Sequence, residues 1–305
     1  MFRKHFAFSN LACVNWFPGH MAKGMRDLGR KLRFCDCVIE VHDARRPHIP
    51  FSGRNPNLSA LLSGRPKVLV LNKVDQADSS MAGEVLDTLR RKGEREVVFT
   101  NCKDQYHPSV EQLMATIQKI ADRPEQSSIN SSEGEVKLMV VGMPNVGKSS
   151  LINSLRRKYL KKGKAALVGK LPGITRSVTT RIMISNNPPM YVVDTPGVMI
   201  PNIPNSEVAL KLAATGMFRD HQVGEQLIAD YILFLLNNHK QFEYVRVYDL
   251  LGPCDDIEIV LGQMATRLGA QKKGGEQDLE RAARHFISSY RDGRLGSMTL
   301  DSWDR

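Results

Sequence analysis

The chain is 305 residues long, and nowhere in it does an apolar run approach the about 18 residues that a membrane-spanning helix needs. Acidic residues are missing from its start: the first is Asp27. Before it stand Arg3, Lys4, Lys23 and Arg26, with Phe2, Phe6, Phe8 and Leu11 among them. A basic, amphipathic, acid-free start has the composition of a mitochondrial presequence, here residues 1–14. Cysteine is scarce and odd in number, at positions 13, 35, 37, 102 and 254. Cys35 and Cys37 have no second pair to complete a zinc site, and the scatter argues against a disulfide framework and for a reducing compartment. Apolar content of 42% with 25% charged residues is enough for a buried core. The net charge of +11 fits a polyanionic partner, RNA or an anionic membrane face; a basic surface kept for solubility, or a basic matrix-type proteome, is the alternative. Clustering of Arg156, Arg157, Lys158, Lys161, Lys162, Lys164 and Lys170 favours the former.

Residues 16–33 read as a Pro18-Gly19 turn and then a helix, with Met21, Met25, Leu28 and Leu32 at helical spacing. Strands are predicted at Cys37–Val41, Pro66–Leu71, Val97–Thr100, Val136–Val141, 179–184 and 190–193, with helices at 81–91 and after Ser149. Residues 45–56, rich in Pro, Gly and Asn, read as irregular, and 123–135 as a polar, Ser-rich linker. Strands alternating with helices predict an α/β fold with a doubly wound, mostly parallel sheet. From about Ser206 the pattern is helical, which suggests a separate domain over 206–305 after one over 15–205.

Three motifs carry chemistry. Gly142-Met143-Pro144-Asn145-Val146-Gly147-Lys148-Ser149 matches G-x-x-x-x-G-K-S between a strand and a helix, with Ser150 next. In such a loop backbone N–H groups cradle phosphates, Lys148 reaches the β- and γ-phosphates, and Ser149 ligates Mg2+. Asn72-Lys73-Val74-Asp75 matches N-K-x-D after an apolar strand. The Asp75 carboxylate can accept from guanine N1–H and its exocyclic amine, which adenine cannot offer. Asn72 would serve the O6/N7 edge, with the Lys73 stem along the ring. Asn101-Cys102-Lys103 follows the next strand, where a second base-contacting loop belongs, although it departs from Ser-Ala-Lys. Asp194-Thr195-Pro196-Gly197 matches D-x-x-G: Asp194 would hold Mg2+ through water and the Gly197 N–H would sense the γ-phosphate. Thr175 is the candidate switch threonine closing over Mg2+.

The next absence is catalytic. The position after D-x-x-G, where a water-orienting glutamine is expected, holds Val198. Intrinsic hydrolysis is then slow or uses another group. Asn145, inside the loop, either coordinates a monovalent cation that offsets transition-state charge or only fixes the turn.

The base-reading motif precedes the phosphate loop, and this order resembles that of the circularly permuted GTPases. Asn15-Trp16-Phe17-Pro18-Gly19-His20-Met21-Ala22-Lys23, Asp43-Ala44-Arg45-x-Pro47, Ser52-Gly53-Arg54-Asn55-Pro56, Gly274-Gly275 and Arg291-Asp292-Gly293-Arg294-Leu295-Gly296 make the chain similar to the ribosome-biogenesis GTPase A family, from about residue 15 to 300. The basic start is most similar to that of its mitochondrial branch. The resemblance implies a permuted P-loop GTPase domain with a small helical, RNA-contacting domain. It implies conversion of GTP to GDP and phosphate, slow alone and stimulated by ribosomal particles and K+. The implied setting is the mitochondrial matrix, peripherally on the inner membrane. There a monomer would help assemble the large ribosomal subunit by contacting its rRNA. His20 matches a histidine the family proposes as catalytic, where sequence alone reads a turn or cap residue; Asn145 matches its potassium-associated asparagine. A membrane-associated regulatory GTP-binding module acting on a protein partner is the alternative reading.

Overall fold

The computed structural model describes residues 2–8, 19–47, 56–104, 106–122, 134–163, 166, 181–195, 197–198, 203 and 205–301, without the side chains of 19–25 and 56. The chain divides into two compact units. One comprises Asn15–Asn202 with Thr299–Arg305, the other Met1–Val14 with Ile203–Met298. The division therefore departs at both chain ends from the contiguous one expected from sequence.

In the first unit, α1 (Gly19–Leu32) leads into β1 (Cys37–Asp43), then α2 (Pro56–Leu62) and β2 (Lys67–Asn72). Helix α3 (Ala82–Arg91), β3 (Val97–Thr100) and α4 (Ser109–Ala121) follow. The second half adds β4 (Val136–Gly142), α5 (Lys148–Leu160), β5 (Arg181–Asn186) and β6 (Pro189–Asp194). The six strands stand in the order β3-β2-β1-β4-β6-β5, all parallel except that β5 pairs antiparallel with β6. The sheet winds outward in both directions from the β1–β4 neighbours, so its crevice opens at the carboxyl ends of these strands. Register aligns Asp43 with Asn72, Asn72 with Thr100, Val41 with Gly142, and Val140 with Asp194. Every strand bearing a predicted motif thus ends at one edge of the sheet.

Helices form where the apolar spacing demands a partner. Leu28 and Leu32 of α1 and Leu58 and Leu62 of α2 pack with Val38, Met139, Val141 and Val198. Each such side chain, fully buried, contributes about 1.5–3 kcal/mol. Helix α2 arises in a stretch too short to show a full periodic pattern. The linker at 123–135 lies outside the described residues except Gly134 and Glu135.

The second unit is helical, as its spacing predicts: α6 (Ser206–Ala214), α7 (Glu225–Asn238), α8 (Glu243–Val247), α9 (Ile257–Leu268) and α10 (Leu279–Arg291). Asn205, Asp256 and Asp278 cap three of these helices by accepting from backbone N–H groups of the first turn, at 2.9 Å from Val208, Glu258 and Arg281. Arg291 clamps the unit by donating to both carboxylate oxygens of Asp220 and to the Ala213 and Ala214 carbonyls that end α6.

Residues 2–8 belong to this unit. Arg3 donates two hydrogen bonds to Asp230 of α7 (3.1 and 2.7 Å), and its backbone N–H donates to Asp255. Phe6 is buried with its ring edge-on to Tyr231, centroids 5.1 Å apart. The sequence marks these residues as basic and amphipathic, and both properties are used here in packing.

Candidate nucleotide site

The phosphate loop joins β4 to α5. Gly147 has φ 100°, and a Cβ there would stand 2.1 Å from Asn72 Nδ2, so only glycine fits. Asn145 takes the left-handed conformation (φ 57°), which asparagine tolerates. Lys148 is buried and turns its ammonium onto the carbonyl oxygens of Gly142 (3.2 Å) and Met143 (2.8 Å). Burial pushes its pKa down to about 8, opposed by the nearby Asp194 carboxylate. The lysine is thus a cation held over the loop with few partners.

Asp194 ends β6. Its Oδ2 accepts from the Ser149 hydroxyl at 3.1 Å, while Oδ1 is buried without a hydrogen-bond partner among the described residues. Burial raises its pKa, which Lys148 and the Ser149 bond counter. An orphaned carboxylate oxygen beside a hydroxyl is an all-oxygen donor set that suits a hard divalent cation, so these residues fit Mg2+. When bound, Mg2+ would supply charge neutralisation to the terminal phosphates.

Gly197 lies against the loop so closely that a Cβ would stand 2.6 Å from Pro144, and the Val198 N–H donates to the Gly142 carbonyl at 3.1 Å. The D-x-x-G segment and the phosphate loop therefore form one bonded layer. Val198 itself is 7% exposed and packs into the α1–α2 core. The residue in the glutamine position is a core residue, which explains its apolar identity.

On the base side, Asn72 is buried and already employed. Its Nδ2 donates to the Val146 carbonyl (2.8 Å), and its Oδ1 accepts from the Thr100 hydroxyl (3.0 Å) and the Cys102 N–H (3.4 Å). One amide hydrogen is committed to the phosphate loop, and an amide nitrogen has two. Beyond the expected base contact, Asn72 ties three strand-end loops together. Lys73 adopts φ 65° and ψ 39° and leads into a single 3-10 turn over Val74–Gln76, in which Asp75 is exposed. Its ammonium pairs at 3.0 Å with Asp43, the last residue of β1.

The departure from Ser-Ala-Lys at Asn101 has a local structural reason. The Asn101 side-chain oxygen accepts from the Lys103 and Asp104 N–H groups (3.0 and 3.3 Å), which closes the loop as an Asx turn. Cys102 is buried, which pushes its thiol up to about 12, and its carbonyl accepts from Ser154 of α5. Ser150 is half-buried in the first turn of α5. The described cysteines, at 35, 37, 102 and 254, form no disulfide.

The structure thus gathers Asn72, Lys73, Val74, Asp75, Asn101–Lys103, Asn145–Ser150, Asp194 and Gly197 at the carboxyl edge of the sheet. Thr175 lies outside the described residues, and of His20 only its place in the first turn of α1 is described. Sequence reasoning missed Asp43, Thr100 and Ser154 as parts of the site; the first stood in a recognised motif, and the others are signalled only by their positions after β3 and in α5. The basic stretch is partly spent locally. Arg156 donates to the Gly163 and Met183 carbonyls and Lys158 pairs with Glu111, while Lys161 and Lys162 are exposed.

A family model described as 50S ribosome-binding GTPase matches residues 137–261, a span that starts inside β4 and omits Asn72–Asp75, as permutation requires. The chain is 43% identical over 99% of its length to mitochondrial ribosome-associated GTPase 1 of Xenopus tropicalis, covering 98% of that protein. It is 45% identical to the mouse protein of that name, over 98% of this chain and 93% of the other. It is 32% identical to ribosome biogenesis GTPase A of Priestia megaterium, over 94% of this chain and 96% of the relative. The crystal structure of GNP-bound YlqF from T. maritima shares the fold, with a TM-score of 0.58 and 23% identity over 90% of this chain and 95% of that one. With nucleotide-binding geometry and relatedness along nearly the whole chain in agreement, the chain is a GTPase and belongs to the circularly permuted family of mitochondrial ribosome-associated GTPase 1 and ribosome biogenesis GTPase A.

Proposed function

We propose that this GTPase is an assembly factor of the mitochondrial large ribosomal subunit, binding its rRNA in the GTP state and leaving after hydrolysis. The observation that supports it most is the pairing of a permuted nucleotide site with whole-length relatedness to proteins named for the ribosome. Lys148 holds the β- and γ-phosphates, Ser149 and Asp194 hold Mg2+, and Asp75 reads guanine. Asn145 presents its side-chain oxygen to K+, a donor suited to a hard monovalent ion. Thr175 closes over the magnesium site in the GTP state.

His20 supplies the polar group that Val198 cannot. Its support is architectural: Leu28 and Leu32, further along the same helix, pack in one cluster with Val198. The helix that carries His20 is therefore anchored on the residue that follows D-x-x-G. The setting is the mitochondrial matrix, with the monomer peripheral to the inner membrane, and the basic start serves import before folding packs it into the helical unit. Among the described residues no helix is long and apolar enough to cross a membrane.

The test is co-sedimentation with purified mitochondrial large-subunit particles. GTP-loaded protein pellets with the particles, GDP-loaded protein does not, and particles raise turnover. Equal, weak binding in both states removes the proposal. Binding to anionic vesicles without particle binding would favour a membrane-associated regulatory module instead. His20→Ala lowers particle-stimulated hydrolysis with nucleotide affinity retained, and unchanged turnover takes His20 out of the reaction. Exchanging K+ for Na+ in that assay tests Asn145.

A further inference from the structure

The last described residues of the chain, Thr299–Asp301, pack within the nucleotide-binding unit, directly after the helical unit ends at Met298. All three are buried, at 5, 5 and 8% exposure. They meet two segments that flank the guanine-reading motif. The Leu300 N–H donates to the Arg45 carbonyl at 2.7 Å, and Asp301 pairs with Arg46 at 3.7 Å. The Thr299 hydroxyl accepts from the Asp78 N–H at 3.2 Å, three residues beyond Asp75.

The Asp43–Arg46 turn is connected to Lys73. Arg45 is 1% exposed and grips Asp43 at both oxygens, Nε to Oδ1 at 2.9 Å and Nη2 to Oδ2 at 2.7 Å. The Lys73 ammonium meets the same Oδ2, and the Ala44 N–H donates to the Asn72 carbonyl at 2.7 Å. Burial alone would raise the Asp43 pKa, yet Arg45 and Lys73 hold the carboxyl well below the usual range. A buried charge fixed by a bidentate arginine is a rigid anchor. Lys73 needs one, because a non-glycine residue at φ 65° is held there only by its surroundings.

We infer that the carboxyl-terminal segment Thr299–Asp301 and the Asp43–Arg45 pair are positioning elements for Lys73, so that guanine affinity depends on a tail remote in sequence from the base-reading motif. This rests on Lys73 lying along the guanine ring. The tail braces the turn, the turn fixes Asp43, and Asp43 sets the ammonium that aligns the lysine stem.

The experiment titrates the full-length protein with fluorescent N-methylanthraniloyl GDP and its ADP counterpart. Thr299→Val, which deletes the hydroxyl, and Leu300→Pro, which deletes the N–H, each weaken GDP binding about three- to tenfold. Thr299→Ser restores it, and ADP binding does not change. In a Lys73→Ala background the same substitutions cost less than about twofold, because the group they position is gone. Undiminished GDP affinity in both tail variants, while Lys73→Ala is weakened, overturns the inference about the tail. Equal loss of GDP and ADP, or an effect of full size without Lys73, also overturns it. Wild-type affinity in Lys73→Ala instead overturns the reading of Lys73 itself. Should Leu300→Pro fail to fold by circular dichroism, Asp301→Asn takes its place. The same loss is then expected for GDP alone, and its absence overturns the inference in the same way.

Discussion

On the phosphate side of the site, an oxygen of Asp194 is buried without a hydrogen-bond partner among the described residues and the Lys148 ammonium rests on two backbone carbonyls. On the base side, Asn72 bonds to Val146, Thr100 and Cys102, Asn101 closes its own turn, and Lys73 pairs with Asp43. One half is left for a ligand to complete, and the other is finished by the protein. The difference follows from what each half must do. Phosphates and Mg2+ bring strong charge and can supply the missing partners, whereas a base is distinguished by the fixed geometry of neutral hydrogen-bonding edges. Affinity on the phosphate side should respond to charge and pH, and on the base side to rigidity.

The contrast is broken most severely at Lys148. Lys148→Ala should lower GDP affinity by about a hundredfold or more, since charge-assisted bonds to phosphate are lost. Calorimetric titration measures this, and affinity within tenfold of wild type would deny Lys148 its role.

Gly147→Ala strikes both halves, because its Cβ would displace Asn72. A loss of about 2–4 kcal/mol of stability is expected from the clash and the backbone strain together. Thermal melting of the free protein reads it. An unchanged melting temperature would show that Asn72 can move aside at no cost.

Asn72→Ala removes the staple together with the expected base contact, and takes the amide away from the Val146 carbonyl and the acceptor away from the Cys102 N–H. It should cost about 1–3 kcal/mol, with guanine affinity falling more than phosphate affinity. Denaturant unfolding and paired GDP and pyrophosphate titrations separate the two effects, and parallel losses in both ligands would erase the contrast.

Proton coupling sharpens it. Below about pH 8 Lys148 is charged with or without a ligand; between there and its ordinary value of 10.5 the free protein must take up a proton to bind phosphate. GDP affinity should therefore decline above pH 8, by at most about tenfold per pH unit. The same depression means that the free fold gains stability as pH rises through this window, since the unfolded chain holds the proton more tightly. Flat GDP affinity from pH 7 to 9.5 would contradict it. The smallest effect is expected at Lys158, whose ion pair with Glu111 lies at the surface: Lys158→Ala should leave melting unchanged.

Much of this was legible from residues alone. The β2 and β4 strands are mostly runs of β-branched and aliphatic residues, as suits strands in the interior of a parallel sheet. The phosphate loop and Asn72–Asp75 could be read because their chemistry requires particular residue types at fixed spacing. Less visible were contacts between segments distant in the chain. Thr100, Ser154 and Thr299 are ordinary hydroxyl residues in sequence, and they acquire roles only through what folding sets beside them. Residues 2–8 illustrate the same point: a basic amphipathic string has the composition of a targeting segment, yet Arg3 finds Asp230 and Phe6 finds Tyr231 in the helical unit.

By itself, then, the sequence determined the α/β class, the bound nucleotide and the permuted order of the motifs, since local spacing encodes backbone geometry and ligand chemistry. Tertiary structure alone decided that Val198 belongs to the core, that Asn72 is bonded to Val146, Thr100 and Cys102, and that Thr299–Asp301 pack against Arg45, Arg46 and Asp78. Those outcomes depend on which surfaces meet, and a linear pattern of residue types does not specify the partner that a buried polar group will find.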